Sequence, residues 1–583
     1  MKAKPVSHLE RAWFGAGWCG VLLAGLLFVS AGVAQGAVAR SKHDLSVTGP
    51  GAFKAVSESD ICIFCHTPHG ADPSNPPLWN RSLAAVSYTP YNSSTMKVTV
   101  GQPTGASKLC LSCHDGTVAL GILNSRPSGI PMQSGSGPLT GPTLLGTDLS
   151  GHHPVSFTYD KDLAVKDGRL LDPATLVNKV RLDQNHQLQC TACHDPHNND
   201  LGNFFVQDNT ASALCLNCHS FIFWPSSVHS TSTKTWNGSG LNPWPQTRLG
   251  AQTKAVAKAN TPAAHGCENC HVSHGAGSRT LLLRFENDEL NCYSCHAGTV
   301  AAKDLKTEFD KPSVHPITGT THVHNPMEDP LTAPRHVKCV DCHNPHATRS
   351  GPAPEPPLAA ASLADVKGVN QAGVVVNSVT REYELCFRCH AESLSRGRTL
   401  VPRLSAQTSI RLQFAATSAS FHPVVNHGKN ANVPSLLSPY TAGSLIYCTD
   451  CHNNDQGPGA GGSGPRGPHG SAYPALLERQ LIMVDGLAES PASYALCYKC
   501  HDRERILADL SFSHQKHVQD GRAACTTCHD PHGVTGNQRL INFNTTYVKA
   551  LAGQGPARYN PALPKDQACT LSCHGVDHPL PRK

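Results

Sequence analysis

Twenty-four of the 25 cysteines in this 583-residue chain fall into twelve short-spaced pairs, and every pair is followed at once by histidine. Six of them are Cys62/Cys65/His66, Cys110/Cys113/His114, Cys190/Cys193/His194, Cys215/Cys218/His219, Cys267/Cys270/His271 and Cys292/Cys295/His296. Five more are Cys339/Cys342/His343, Cys386/Cys389/His390, Cys448/Cys451/His452, Cys497/Cys500/His501 and Cys525/Cys528/His529. All eleven read C-x-x-C-H, and the last pair is wider by one residue, Cys569-Thr-Leu-Ser-Cys573-His574. C-x-x-C-H is the attachment signature of c-type haem. Two thiols add to the vinyl groups as thioethers, and the next imidazole stands beneath the iron as proximal ligand. A disulfide framework or a zinc ribbon places no demand on the residue after the second cysteine, and redox C-x-x-C motifs usually come singly. The sequence therefore implies haem c, covalently attached, in about twelve copies.

That load changes what the interior is made of. The chain has 49 Gly and 44 Pro, 6% aromatic residues and 15% charged residues. Scarce aromatics argue against several large side-chain cores, and low charge argues against a disordered polyelectrolyte. The expected fold is a multihaem c-type cytochrome, mostly coil and turn with short α-helices and little β, wrapped around a closely packed chain of about twelve haems. Short helices are expected around Glu382 to Ser393 and Ser493 to Leu510, and surface loops at 135–146, 352–357 and 456–470. At the front, Lys2, Lys4 and Arg11 precede an apolar run from Val21 to Val33 and a small-residue site at Ala37-Val38-Ala39. Residues 1–39 thus read as a signal peptide, which predicts export to the periplasm, outer-membrane surface or extracellular space.

The motifs pair off into six two-haem units, at 40–165, 166–232, 233–320, 321–425, 426–516 and 517–583. Three further sets of histidine recur with them. The first set follows the first motif as x-Pro-His or x-Ser-His: His69, His197, His274, His346 and His532, with His469 supplied in the fifth unit by Gly467-Pro468-His469-Gly470. The second set lies downstream of the second motif: His153, His229, His315, His422, His514 and His578. The third set precedes each first motif and is the second choice: His43, His186, His265, His336, His427 and His517. Of 34 histidines, 21 remain outside the motifs and the leader, whereas the mature chain has only Met96, Met132, Met327 and Met483. Bis-histidine ligation of most haems is the simplest reading. A histidine three residues after a proximal one cannot reach the far face of that same haem, so the Pro-His set must reach a neighbouring haem. The spare His322 and His324 read as solvated or propionate-bonded.

The segments Lys42-His43-Asp44-Leu45-Ser46 to Cys62-Ile-Phe-Cys65-His66-Thr-Pro-His69, Cys110-Leu-Ser-Cys113-His114-Asp-Gly-Thr-Val-Ala and Asp148-Leu-Ser-Gly-His152-His153-Pro-Val-Ser-Phe157 carry a family resemblance. The chain resembles the doubled-CXXCH multihaem cytochromes, exported electron carriers of metal- and sulfate-reducing bacteria. It departs from that pattern at Cys448 to His452, which lacks an immediate Pro-His, and at the wider final motif. The resemblance implies an electron-transfer protein rather than an enzyme. Expected partners are other cytochromes or redox proteins, a metal oxide or other extracellular acceptor, and further copies of the chain in a filament. The alternative is a multihaem reductase of nitrogen or sulfur oxyanions, which requires one haem with an open axial site. No basic stripe with interleaved aromatics is present, so nucleic acid is not an expected partner. The apoprotein's formal +6 is misleading, because propionates take the mature holoprotein to about −8 oxidised and about −20 reduced.

Overall fold

The computed structural model describes residues 38–579 except 76, 136, 178, 245–258, 319–323, 335, 393–399, 510 and 565–566. The signal-peptide reading, apart from its last two residues, and His322 lie outside the described residues. Coil and turn dominate, as the Gly and Pro content requires. The helices are short, and three of the longest end in a second motif: Gly105–His114, Asp288–His296 and Glu382–His390. In the latter two, carboxylates in the first turn and a histidine in the last complement the helix dipole. Glu384 also caps its helix, accepting the N–H groups of Thr380 at 2.8 Å and Arg381 at 3.1 Å. The remaining regular motifs sit on single turns, such as Cys62–Phe64, Cys190–Ala192, Cys215–Asn217 and Cys525–Cys528. A turn of either kind brings cysteines three apart onto one face, as a single porphyrin demands. The helix expected from Ser493 to Leu510 is two pieces, Cys497–Lys499 and Arg503–Leu507. The break falls where Asp502 leaves helical geometry to cap the second piece, accepting from the Arg505 N–H at 3.1 Å.

Strands are mostly two residues long and join distant parts of the chain. Phe157–Thr158 pairs with Gln187–Leu188, Ser313–Val314 with Gly470–Ser471, and Ser420–Phe421 with Gly533–Val534. One larger sheet gathers Val548–Lys549, Arg558–Tyr559, Cys569–Cys573 and Val576–His578 at the C-terminal end. Buried apolar side chains form separate small clusters rather than one core, and a motif cysteine packs against nearly every one of them. No helix among the described residues is long and apolar enough to cross a membrane.

Candidate haem-iron centres

Each of the eleven regular motif histidines faces one other imidazole. First-motif histidines meet the Pro-His or Ser-His ring of the next unit: His66 with His197 at 6.1 Å between ring centres, His194 with His274 at 6.2 Å and His271 with His346 at 6.1 Å. His343 with His469 at 6.1 Å and His452 with His532 at 5.9 Å continue the series. Second-motif histidines meet the downstream histidine of the previous unit: His219 with His153 at 6.3 Å, His296 with His229 at 6.1 Å, His390 with His315 at 6.4 Å and His501 with His422 at 6.4 Å. In the first unit His43 faces His114 at 6.2 Å. In the last unit His529 is faced by His514 of the fifth at 6.4 Å. An iron bridging two imidazoles through metal–nitrogen bonds of roughly 2 Å would set the ring centres about 6.3 Å apart. The residues fit the group.

The rings are held in the right tautomer. Motif Nδ1 atoms donate to backbone carbonyls: His66 to Pro77 at 2.8 Å, His114 to Thr143 at 2.9 Å, His194 to Asn203 at 2.8 Å, His271 to Leu281 at 2.8 Å and His452 to Ala475 at 2.8 Å. With the proton fixed on Nδ1, the Nε2 lone pair is left for a metal. Burial first, then the neighbouring imidazoles, holds His274, His346 and His532 down to about 3. The same causes hold His219, His296 and His501 down to about 4. These rings are therefore neutral at pH 7, the state in which imidazole ligates.

The partner rings are positioned by backbone docking across units. The Nδ1 of His229 donates to the Pro345 carbonyl at 2.9 Å and that of His315 to Pro468 at 3.1 Å; His43 reaches Pro196 at 3.3 Å. Each of those prolines precedes a histidine facing a different motif. One Pro-His dipeptide thus offers its carbonyl to one pair and its ring to another. The neighbouring backbone is pinned too, by His153 N–H to Ser273 O at 2.8 Å, Val228 N–H to Thr348 O at 2.9 Å and the two-residue strand pairs before His315 and His422.

Cysteines of successive motifs adjoin in sequence order. Cys110 pairs with Cys190, Cys215 with Cys267, Cys292 with Cys339, Cys386 with Cys448 and Cys497 with Cys525, each two thiols sharing a hydrogen bond. Between them Cys65 neighbours Cys113, Cys193 neighbours Cys218, Cys270 neighbours Cys295, Cys342 neighbours Cys389, Cys451 neighbours Cys500, and Cys528 neighbours Cys569 and Cys573. The attachment points form one line from the first motif to the twelfth. No disulfide joins any two of the 24 described cysteines.

The twelfth motif is built differently. Cys569–Cys573 is a strand, so Cys569, Leu571 and Cys573 share one face, where they pack with Phe543 and Val548. His578 lies opposite Leu571 in the ladder and therefore on that same face. His574 turns away at φ +50°, with its Nε2 2.8 Å from Asp485 Oδ2 and its ring stacked on Tyr547. The imidazole pair at this end is His517 with His578, 6.2 Å apart. Five other sequence candidates stand elsewhere. His69 is exposed, and among the described residues no histidine ring faces it. His186 and His427 are exposed, and His265 stacks on Trp244. His336 belongs to a separate cluster with His324. Asp485 and Tyr547 carry no local signal that singles them out; only the fold brings them to His574.

A family model described as the doubled CXXCH motif matches residues 184–221, 260–301 and 438–506. The chain carries the doubled CXXCH motif of multihaem c-type cytochromes. The three matched stretches cover motifs three to six, nine and ten of the chain, and the fifth unit is matched across its Gly/Pro-rich insertion. No curated protein matches the chain.

Proposed function

We propose that the chain is an exported dodecahaem electron-transfer cytochrome in which every iron is held between two imidazoles. The observation that carries the reading is the set of histidine pairs, each at the spacing of a bridged metal, strung along an unbroken line of cysteines. Bound haem supplies reversible one-electron chemistry; the chain supplies spacing, ligation and dielectric. Two imidazoles would hold each haem, so little would change at the metal between oxidation states. This favours conduction over an oxyanion reductase, which needs an open site. We place the twelfth iron between His517 and His578, with His574 engaged by Asp485 instead. The acceptor is of the class of partner cytochromes or metal oxide surfaces, and copies of the chain joined end to end are a further form of the same conductor.

Denatured-haem assay should return about twelve haems per chain, and low-temperature EPR of the oxidised protein should be low-spin throughout. A substantial high-spin signal would overturn the ligation scheme. At the twelfth site, His578→Ala should create one high-spin haem while His574→Ala creates none; the reverse result would return the ligand role to His574.

A further inference from the structure

The histidines that the haem pairs leave over include two that converge away from any motif ring. His324 Nδ1, His336 Nε2, one Glu328 oxygen and one Asp341 carboxylate lie within 4.8 Å of one another. His324 Nδ1 is 3.4 Å from His336 Nε2, 3.4 Å from Glu328 Oε1 and 3.2 Å from Asp341 Oδ1. His336 Nε2 is 3.2 Å from Glu328 Oε1 and 3.7 Å from Asp341 Oδ2. Four donors on a tetrahedral ion with bonds of about 2.0 Å stand about 3.3 Å apart, so these separations are those of ligands around a common centre.

The donor atoms are oriented from outside the cluster. His336 Nδ1 donates to the Pro334 carbonyl at 2.8 Å, which in the neutral ring turns the Nε2 lone pair toward two carboxylates. His324, only 9% exposed at its side chain, offers at most one proton from Nδ1. Arg388 Nη2 donates to Glu328 at 3.0 Å and Asp341 at 2.7 Å, and the Lys338 N–H donates to Asp341 at 2.7 Å. These bonds orient the carboxylates in the way outer partners do at metal sites. One guanidinium balances one carboxylate charge. The second carboxylate and the two imidazole nitrogens converge on one centre, where a cation would meet all four donors.

We propose that His324, Glu328, His336 and Asp341 form a non-haem, tetrahedral site for a divalent ion of the zinc class. Two nitrogen and two oxygen donors without thiolate suit such an ion. Asp341 lies between Cys339 and Cys342 of the seventh motif. A cation here clamps that motif to the 324–336 connection and places fixed positive charge beside one haem, raising its reduction potential.

The test is the metal content of the purified holoprotein, read by mass spectrometry beside a separate haem assay. One divalent ion per chain beyond haem iron is expected, with loss of at least tenfold in His324→Ala at unchanged haem content. His336→Gln gives the same answer if the first variant fails to fold. After chelation, added zinc should reload wild type to one equivalent and lower neither variant's haem count. Wild-type protein that neither retains a non-haem divalent ion nor takes up zinc would overturn the proposal, as would equal metal in wild type and both variants.

Discussion

At the residue scale, positions between the cysteines join two neighbouring pairs of motifs. Asp341 of the seventh motif meets Arg388 of the eighth at 2.7 Å, and Lys499 of the tenth donates to the Asp450 carbonyl of the ninth at 2.7 Å. Arg81 does the same work for the first pair from outside the motifs. Its guanidinium is fully buried and donates to the carbonyls of Leu120 at 2.7 Å, Ala119 at 3.1 Å and Ser112 at 3.3 Å, with no carboxylate beside it among the described residues. Arg81→Met strands those carbonyls and should cost about 3 kcal/mol, read by denaturant titration. It should also shift one potential negative, because a fixed positive charge near Cys65 and Cys113 is lost. The motif cysteines and the histidine after each pair are legible in the sequence, because thioether chemistry needs both thiols and the imidazole within a few residues. The identity of the facing ring is not. His315 and His390 share no local pattern, and His43 and His517 carry the same upstream signal as His186 and His427, which face no motif ring.

At the scale of elements, docking depends on backbones that approach too closely for a side chain. A Cβ on Gly470 would stand 1.8 Å from the Glu308 carbonyl oxygen, and one on Gly533 would stand 2.2 Å from that of Gln413. Each glycine follows a histidine that faces a motif ring and lies in a strand pair that carries another. Gly533→Ala should therefore disturb His532 and His422 together. The expected outcome is about 1–3 kcal/mol of destabilisation with two high-spin haems, counted by EPR against the low-spin remainder. Gly470→Ala should act likewise through His469 and His315. The turn-rich, strand-poor character of the fold was readable from composition. These strand pairs were not, because two-residue ladders such as Ser313–Val314 with Gly470–Ser471 have no periodicity to read.

At the scale of the whole molecule, the six units are not beads. Each boundary is crossed in both directions: a Pro-His ring reaches back, and a downstream ring reaches forward. Removing the last unit, 517–583, takes away the eleventh and twelfth motifs but also His532, the ring that faces His452 in the ninth. The truncated chain should retain about ten haems, and one of them should be high-spin; ten low-spin haems would mean that the units are self-sufficient. The backward reach also leaves a remainder. Every later Pro-His or Ser-His faces a motif ring of the unit before it, whereas His69 stands at the surface and no described histidine ring faces it. His69→Ala should leave the spectrum of the isolated monomer untouched. The first unit thus presents an exposed imidazole and the last a short strand, Val576–His578, and whatever docks at each meets different chemistry.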